Sequence, residues 1–164
     1  MIAVDIGLSV MWGDCNIGAD VFFENGNLYS WSEITPEVDC YTAIFAPVAI
    51  SSSCTSNLAE KIYGPGWRIP TKEQMLELMQ NCEFEFAFDG QAIKATGPNG
   101  RSIYLPLANN MDWHGKSAKG GFYWTSTRAF EENDHAYQLR ISDEITFGYN
   151  HIRVRQSVRP IFCP

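Results

Sequence analysis

Glycine and proline interrupt this chain so often that none of its regular segments can be long. The 164 residues include 13 glycines and 8 prolines, together with 10 phenylalanines, 7 tyrosines and 5 tryptophans. Turn-forming residues at this density favour short strands joined by structured loops, and the many rings favour a core of aromatic side chains. Strand-like segments come first, then helices, then further strands, and this order predicts an α+β class rather than βαβ repeats.

Length and charge narrow the possible functions. The hydrophobic fraction of 45% and the charged fraction of 19% fit a single globular domain over residues 1–164. Twelve basic and nineteen acidic residues give a net charge of −7, which argues against nucleic acid as a partner, because such binders rely on Lys and Arg. We also predict no membrane span, since no apolar run approaches the roughly 18 residues required.

The N-terminal residues and the cysteines leave the compartment open. The first residues lack the basic segment and the apolar run of a secretory signal. The chain could therefore be exported by another route, cytosolic, or excised from a longer protein. The chain has five cysteines, and no two of them form a C-x-x-C pair, which excludes a zinc ribbon. Buried thiols are favoured, although up to two disulfides are possible. The cysteines are Cys15, Cys40, Cys54, Cys82 and Cys163.

One helix is well marked in the sequence. Thr71 follows Pro70 as an N-cap, and Gln74 three residues later completes a capping box. Apolar residues then recur at helical spacing, at Met75, Leu78, Met79 and Cys82. A shorter helix is predicted before it, over Ser56 to Ile62.

The remaining segments are predicted to be short strands and loops. The stretch from Gly18 to Trp31 is strand-like on both sides of the turn Asn25-Gly26-Asn27, and Pro36 to Thr55 favours a loop. Alternation predicts that Tyr137 and Leu139 share one strand face. The further predicted strands are Glu83–Phe88, Ala92–Thr96, Ile103–Leu107, Gly121–Thr127, His135–Ile141 and Ser157–Ile161.

No arrangement typical of catalysis or metal binding is present in the sequence. There is no G-x-S-x-G nucleophile elbow and no phosphate-binding glycine loop. The acidic run from Glu131 to His135 lacks the spacing of a calcium loop and favours a solvated turn. We therefore predict no catalytic residue, no metal and no cofactor.

The stretch from Arg128 to Arg155 mixes aromatic rings with Asn, His and Arg. Large rings beside adaptable polar side chains are typical of a recognition surface. A strand–loop–strand unit whose rings face the core would have the same composition. Composition alone leaves both interpretations open.

Motifs along the whole chain occur in the order of a known family. Val4–Val10 with Trp12 matches its opening, and Gly66–Thr71 matches its G-x-W-R-x-P-T step into a helix. The order continues through Cys15–Ala19, Trp31-Ser32-Glu33, Thr96–Gly100, Ser102–Pro106, Gly121–Thr127 and Ser157–Pro160. The chain thus resembles the Fibrobacter succinogenes major paralogous domain.

This family is similar to the C-type lectin-like fold, which formylglycine-generating enzymes and the variable proteins of diversity-generating retroelements share. The resemblance implies two helices packed on twisted antiparallel sheets, with a variable surface displayed between 128 and 155. The implied displayed residues are Phe130, Asn133, Gln138, Arg140, Thr146, Phe147, Tyr149, Asn150, His151 and Arg153. The implied frame is Tyr123, Trp124, Ser126, Ala136, Tyr137, Leu139, Ile141, Val158 and Arg159.

The resemblance implies a non-enzymatic domain that binds a protein or glycan on another cell or host. The chain would then act outside the cell, on a cell surface or on a virion. One observation agrees with diversification by mutagenesis at adenines. Starting from AAY codons, such mutagenesis can produce every residue type found in Ile145–Arg155, but it cannot produce the glutamine at Gln138. The calcium-binding E-P-N and W-N-D triplets are missing, so no calcium-dependent lectin site is implied. The alternative is an oxidase of the formylglycine-generating type, with Cys163 nearest the displayed region.

Overall fold

A computed structural model describes residues 1–35, 57–130, 132 and 134–164. These residues form three short helices and ten strands, which confirms the α+β class. The loop predicted from Pro36 to Thr55 lies outside the described residues. The elements are β1 (Ala3–Val4), β2 (Met11–Gly13), α1 (Trp31–Ile34), α2 (Leu58–Tyr63), β3 (Trp67–Arg68), α3 (Lys72–Asn81), β4 (Glu83–Ala87), β5 (Ala92–Thr96), β6 (Ser102–Pro106), β7 (Gly121–Ala129), β8 (His135–Ile141), β9 (Ile145–His151) and β10 (Ile161–Phe162).

Helix α3 confirms the helix predicted after Thr71. The Thr71 hydroxyl accepts a hydrogen bond from the Gln74 N–H at 3.3 Å, and the Gln74 side chain accepts one from the Thr71 N–H at 2.8 Å. This reciprocal pair satisfies two backbone donors at the start of the helix. Met75 and Leu78 are buried, as the helical spacing predicts. The shorter predicted helix is α2, capped by the Asn57 side chain.

The strand-like prediction for Gly18 to Trp31 is wrong. The chain folds back at Gly18, whose φ of +85° favours glycine and whose added Cβ would lie 2.5 Å from the Asn27 side chain. The Asn27 N–H donates to the Ile17 carbonyl across this turn. Within the segment only Tyr29 forms a β-bridge, and Trp31 begins α1.

Three antiparallel sheets organise the described residues. Their strand orders are β1-β2-β10-β3, β4-β5-β6 and β7-β8-β9. Strands β4 to β8 lie within two residues of their predicted bounds. The prediction of a last strand over Ser157–Ile161 is wrong, because β10 is Ile161–Phe162 and Ser157 forms a separate parallel bridge to Tyr123.

The sheet β7-β8-β9 lies between two hydrophobic clusters. Tyr123 and Leu139 belong to one cluster, together with Met75 and Leu78 of α3. Trp124 and its neighbours on the opposite face belong to the other cluster. Neighbouring residues of a strand point to opposite faces, so adjacent Tyr123 and Trp124 enter different clusters. Both faces of the sheet are therefore covered at this end.

Candidate ligand-binding surface

The register of β8 with β9 decides which residues share a face. His135 lies opposite His151, Tyr137 opposite Tyr149, and Leu139 opposite Phe147. Directly opposed residues of an antiparallel pair lie on the same side of the sheet. His and aromatic side chains from both strands therefore meet on the face that carries the Tyr123 cluster.

The rings of this face form a continuous series, which we call the ring surface. It consists of Trp113, His114, His135, Tyr137, Phe147, Tyr149 and His151, and it includes all three histidines of the chain. The centroid distances in order are 5.5 Å for His114–Trp113, 4.8 Å for Trp113–His151, 5.4 Å for His151–His135, 5.5 Å for His135–Tyr149, 6.4 Å for Tyr149–Tyr137 and 5.7 Å for Tyr137–Phe147. These distances are those of favourable aromatic pairs.

The ring surface is partly open to solvent. Trp113 is 51% exposed and Tyr149 is 45% exposed. His135, Tyr137, Phe147 and His151 are half-buried, and His114 is exposed. The rings are thus held in place by their neighbours while they keep area that a ligand could cover.

Helix α3 holds one end of the ring surface. The Lys72 ammonium lies 3.9 Å from the centroid of the Tyr137 ring, a cation–π contact. The Lys72 N–H donates to the Thr127 hydroxyl of β7 at 3.0 Å. Because Thr127 satisfies a backbone donor in the first turn of α3, the helix and sheet are joined beside the rings.

A tight turn positions Trp113 and His114 at the other end. The Asp112 carboxylate accepts hydrogen bonds from the N–H groups of His114 and Lys116, both at 2.8 Å. The Lys116 N–H, together with that of His114, holds the pKa of Asp112 below its usual range. A second contact fixes His151, whose Nδ1 accepts from the Arg153 N–H at 3.2 Å. The neutral His151 ring therefore carries its proton on Nε2, which makes that atom a donor.

Arginines lie near the end of β7 and in the segment that follows β9. Arg128 pairs with Asp134 at 3.7 Å and Arg155 pairs with Glu33 at 3.4 Å, while Arg153 is exposed. The charge of the chain is distributed unevenly. Residues 1–110 contain 5 basic and 13 acidic side chains, and residues 111–164 contain 7 basic and 6 acidic ones. All seven members of the ring surface thus lie in the less acidic part of the sequence.

The structure separates the ten implied displayed residues onto different surfaces. Phe147, Tyr149 and His151 belong to the ring surface. Phe130 is 87% exposed after the end of β7, and Arg153 is exposed in the turn after β9. Asn133 lies outside the described residues.

Four implied displayed residues lie on the opposite face of β8 and β9. Thr146 is exposed there, and Arg140 lies 5.9 Å from the Phe122 ring. Asn150 is half-buried and accepts a hydrogen bond from the His151 N–H. Gln138 is only 7% exposed, so its assignment as a displayed residue is wrong. It lies opposite the buried Trp124 of β7, on the central strand of the sheet.

Four residues of the ring surface are absent from the implied displayed set, namely Trp113, His114, His135 and Tyr137. The period-2 pattern His135-Ala136-Tyr137 is the signal that could have placed two of them beside Tyr149. No local pattern connects Trp113 with His151, because their contact joins segments 38 positions apart in sequence.

The implied frame is largely buried. Tyr123, Trp124, Ala136, Leu139, Ile141, Val158 and Arg159 are all fully buried, whereas Ser126 and Tyr137 are half-buried. Arg159 donates to Asn16 Oδ1 and to the Gly13 carbonyl, each at 2.9 Å, and to the Tyr104 carbonyl. These bonds satisfy the buried guanidinium with one amide oxygen and two backbone carbonyls of the described residues, which supports a structural role for Arg159.

The described cysteines do not favour thiol chemistry. Cys15, Cys82 and Cys163 are free. Burial raises the pKa of Cys15, and burial with the nearby Glu77 raises that of Cys82 to about 11. A raised pKa reduces the reactive thiolate. Cys163 lines a cavity of about 210 Å³ that includes Arg68 and Gln74 but no member of the ring surface.

The described residues contain neither a metal-binding cluster nor a helix that could cross a membrane. Within residues 1–35, 57–130, 132 and 134–164, no three His, Cys, Asp or Glu side chains are placed to hold a metal ion. The longest helix of these ranges has ten residues, about half of what crossing a bilayer requires.

Comparison with protein-family models, with curated proteins and with solved structures finds no match for this chain. The resemblance to the Fibrobacter succinogenes major paralogous domain therefore stays a prediction.

Proposed function

We propose that this chain is a non-enzymatic ligand-binding domain with a C-type lectin-like fold, and that the ring surface is its binding site. The observation that supports the proposal is the unbroken series of seven rings, each in contact with the next and none fully buried. Tyr and Trp lose little conformational entropy when they bind, so they contribute much of the affinity at recognition surfaces.

The chemistry of the rings suits a ligand with both apolar and polar groups. Trp113 and Phe147 offer apolar faces, while the imidazoles and the tyrosine hydroxyls can donate or accept hydrogen bonds. The series follows two strands and one turn as an extended strip. An extended strip fits a macromolecular ligand, either a protein or a glycan on another cell or host, and in this proposal the domain acts outside the cell, on a cell surface or on a virion.

The register refines the proposal of a variable surface. If residues 128–155 vary, changes at Phe147, Tyr149 and His151 would alter the ring surface directly. Changes at Thr146 and Arg140 would alter the opposite face. A retroelement that diversifies this ligand specificity would therefore concentrate its effective changes at alternate positions of β9.

Trp113 gives a direct test. It is 51% exposed, whereas the other four tryptophans are buried or half-buried. Arrays of glycans and of host surface proteins would be probed with the labelled chain. Each bound molecule would then be titrated by tryptophan fluorescence with the wild type, and by calorimetry with the wild type and every variant. We expect Trp113→Ala and Tyr149→Ala to weaken binding at least tenfold.

The matched control is Phe86→Ala, which removes a ring that is 59% exposed on β4, outside the ring surface. It should bind like the wild type. A ligand bound equally well by Trp113→Ala and Tyr149→Ala would locate the site elsewhere and refute the proposal.

A further inference from the structure

Strand β9 is a free sheet edge. Among the residues that the structure describes, β9 pairs only with β8 and forms the outer strand of its sheet. Its seven residues, Ile145–His151, include no Lys, Arg, Asp, Glu or proline, and they form no bulge with β8. Edge strands of stable monomers usually carry such features, because a bare edge presents unpaired N–H and carbonyl groups to another strand.

Gly148 makes the middle of this edge accessible. A Cβ atom placed there would meet nothing within 4 Å, so nothing in the described residues requires a glycine. Glycine inside a strand weakens it and often marks a position where another backbone approaches closely. The open space and the central position together point to a second strand at Gly148.

The sequence around Gly148 complements itself in antiparallel orientation. With Gly148 opposite Gly148 of a second copy, Tyr149 would lie opposite Phe147 and Asn150 opposite Thr146. Both pairs are favourable across strands, one aromatic and one polar. Asp143 precedes β9 and Arg153 follows it, and both are exposed. Antiparallel pairing brings the acidic end of each copy to the basic end of the other.

We propose that a second copy of this chain pairs antiparallel with β9 about Gly148 and joins the two sheets into one of six strands. The symmetry is two-fold, so each copy contributes the same residues. The axis is perpendicular to the sheet, and the two ring surfaces therefore lie side by side on the same face. The proposal does not depend on what the ring surface binds.

A second copy suits this edge better than an unrelated strand. The backbone groups of β9 require an extended polypeptide, which excludes a glycan along the edge. The opposite charges at the two ends favour a strand with the same charges in reversed order, and β9 itself has that order. One strand pair is a small interface, so we expect a dissociation constant between about 10 µM and 1 mM.

Disulfide cross-linking tests the register. Cα atoms of opposed residues in antiparallel strands lie about 4.5–5.5 Å apart, within the range of a disulfide. Gly148→Cys should form a dimer linked through position 148 under mild oxidation, identified by peptide mass spectrometry. Asn150→Cys alone should not link to itself, but should link to Thr146→Cys when the two are mixed. The oxidised wild type gives the background from the native cysteines.

Sedimentation of the unmodified chain tests the association itself. The wild type should dimerise reversibly as its concentration rises to about 1 mM. Thr146→Lys should need at least a tenfold higher concentration than the wild type to dimerise, and its unfolding midpoint should be unchanged. Three results would each overturn the proposal: a wild-type monomer throughout with no 148–148 link, a dimer that Thr146→Lys does not weaken, or β9 amides protected from exchange only when a foreign peptide is added.

Discussion

On the outer strand β4 of the sheet β4-β5-β6, Glu83 and Glu85 alternate with Phe84 and Phe86. The outer strand β9 of the other three-stranded sheet, in contrast, contains no Lys, Arg, Asp or Glu. Both sheets are antiparallel meanders with regular registers beside these outer strands. Glu85 also forms an ion pair with Lys94 on the next strand at 2.7 Å. The β4 edge of the first sheet therefore carries charges of the kind that usually prevent pairing with other chains, while the second sheet exposes both an edge and a row of rings.

The two sheets are also joined in the interior. Arg159 donates to the Tyr104 carbonyl of β6, and the Tyr123 hydroxyl of β7 donates to the Pro106 carbonyl of β6 at 2.6 Å. The outer edges of the two sheets thus differ in charge, while buried hydrogen bonds join the sheets to each other.

The largest effect is expected for Arg159→Met, which removes the buried guanidinium. Three acceptors, on Gly13, Asn16 and Tyr104, would lose their donor. An unsatisfied buried polar group costs about 1–3 kcal/mol, so the free energy of unfolding should fall by about 3 kcal/mol or more. Urea denaturation measures this loss. The exposed Arg153→Met should change stability by less than about 0.5 kcal/mol, and a similar small effect of Arg159→Met would contradict the structural role.

Tyr123 should make the chain unstable in alkali. Burial raises its pKa to about 12, compared with about 10 in an unfolded chain. The unfolded chain then releases its proton first, so stability is complete below pH 10 and is lost as the pH rises towards 12. The loss should reach about 2–3 kcal/mol.

Tyr123→Phe should abolish this pH dependence and cost about 1 kcal/mol at neutral pH for the lost hydrogen bond. Both proteins should carry Cys82→Ala, because the raised pKa of Cys82 adds its own dependence above pH 9. If the free energy of unfolding fell equally steeply between pH 10 and 12 in the two proteins, the assignment to Tyr123 would be refuted.

Removing the charges of β4 should make the two edges alike. Glu83→Thr with Glu85→Thr leaves the alternating Phe84 and Phe86 without acidic neighbours, so we expect concentration-dependent association through β4. The unfolding midpoint should hardly change, because both glutamates are exposed. Sedimentation velocity measures the association, and the variant Lys94→Thr, which keeps both glutamates, serves as the control. A strictly monomeric double variant would show that charge does not protect this edge.

The smallest effect is expected at Phe88, between β4 and β5. Its φ of +54° is unusual for a bulky residue and costs about 1–2 kcal/mol, but its ring contacts Tyr104 with centroids 5.2 Å apart. Phe88→Asn relieves the backbone strain but loses the ring contact with Tyr104. The free energy of unfolding should therefore change by less than about 1 kcal/mol. Phe84→Asn relieves no backbone strain, so it should lower the free energy of unfolding clearly more in the same denaturation experiment.

Local signals predicted much of the fold. The capping box of Thr71 and Gln74 identified α3, because hydrogen bonds between close neighbours set that boundary. Alternation identified β8 with its correct bounds. The strand β9 was not singled out, because Gly148 and Asn150 interrupt its apolar pattern and composition suggested a displayed stretch.

The candidate site was predictable only in part. Phe147, Tyr149 and His151 were named, yet the register that separates them from Thr146 and Asn150 depends on pairing with β8. Trp113 joins them through a contact that no local pattern contains. Long-range register and loop placement are the information that a single sequence does not supply.

The sheet β1-β2-β10-β3 has a consequence for the time course of folding. Its pairing of Trp12 with Ile161 joins positions 149 apart along the chain. Closing so long a loop costs chain entropy before any contact compensates for it, so this sheet should form last. During synthesis Trp12 would wait for Ile161 to leave the ribosome, while the meanders β4-β5-β6 and β7-β8-β9 can already form. The finished fold is then completed in a single late step, once Ile161 has left the ribosome.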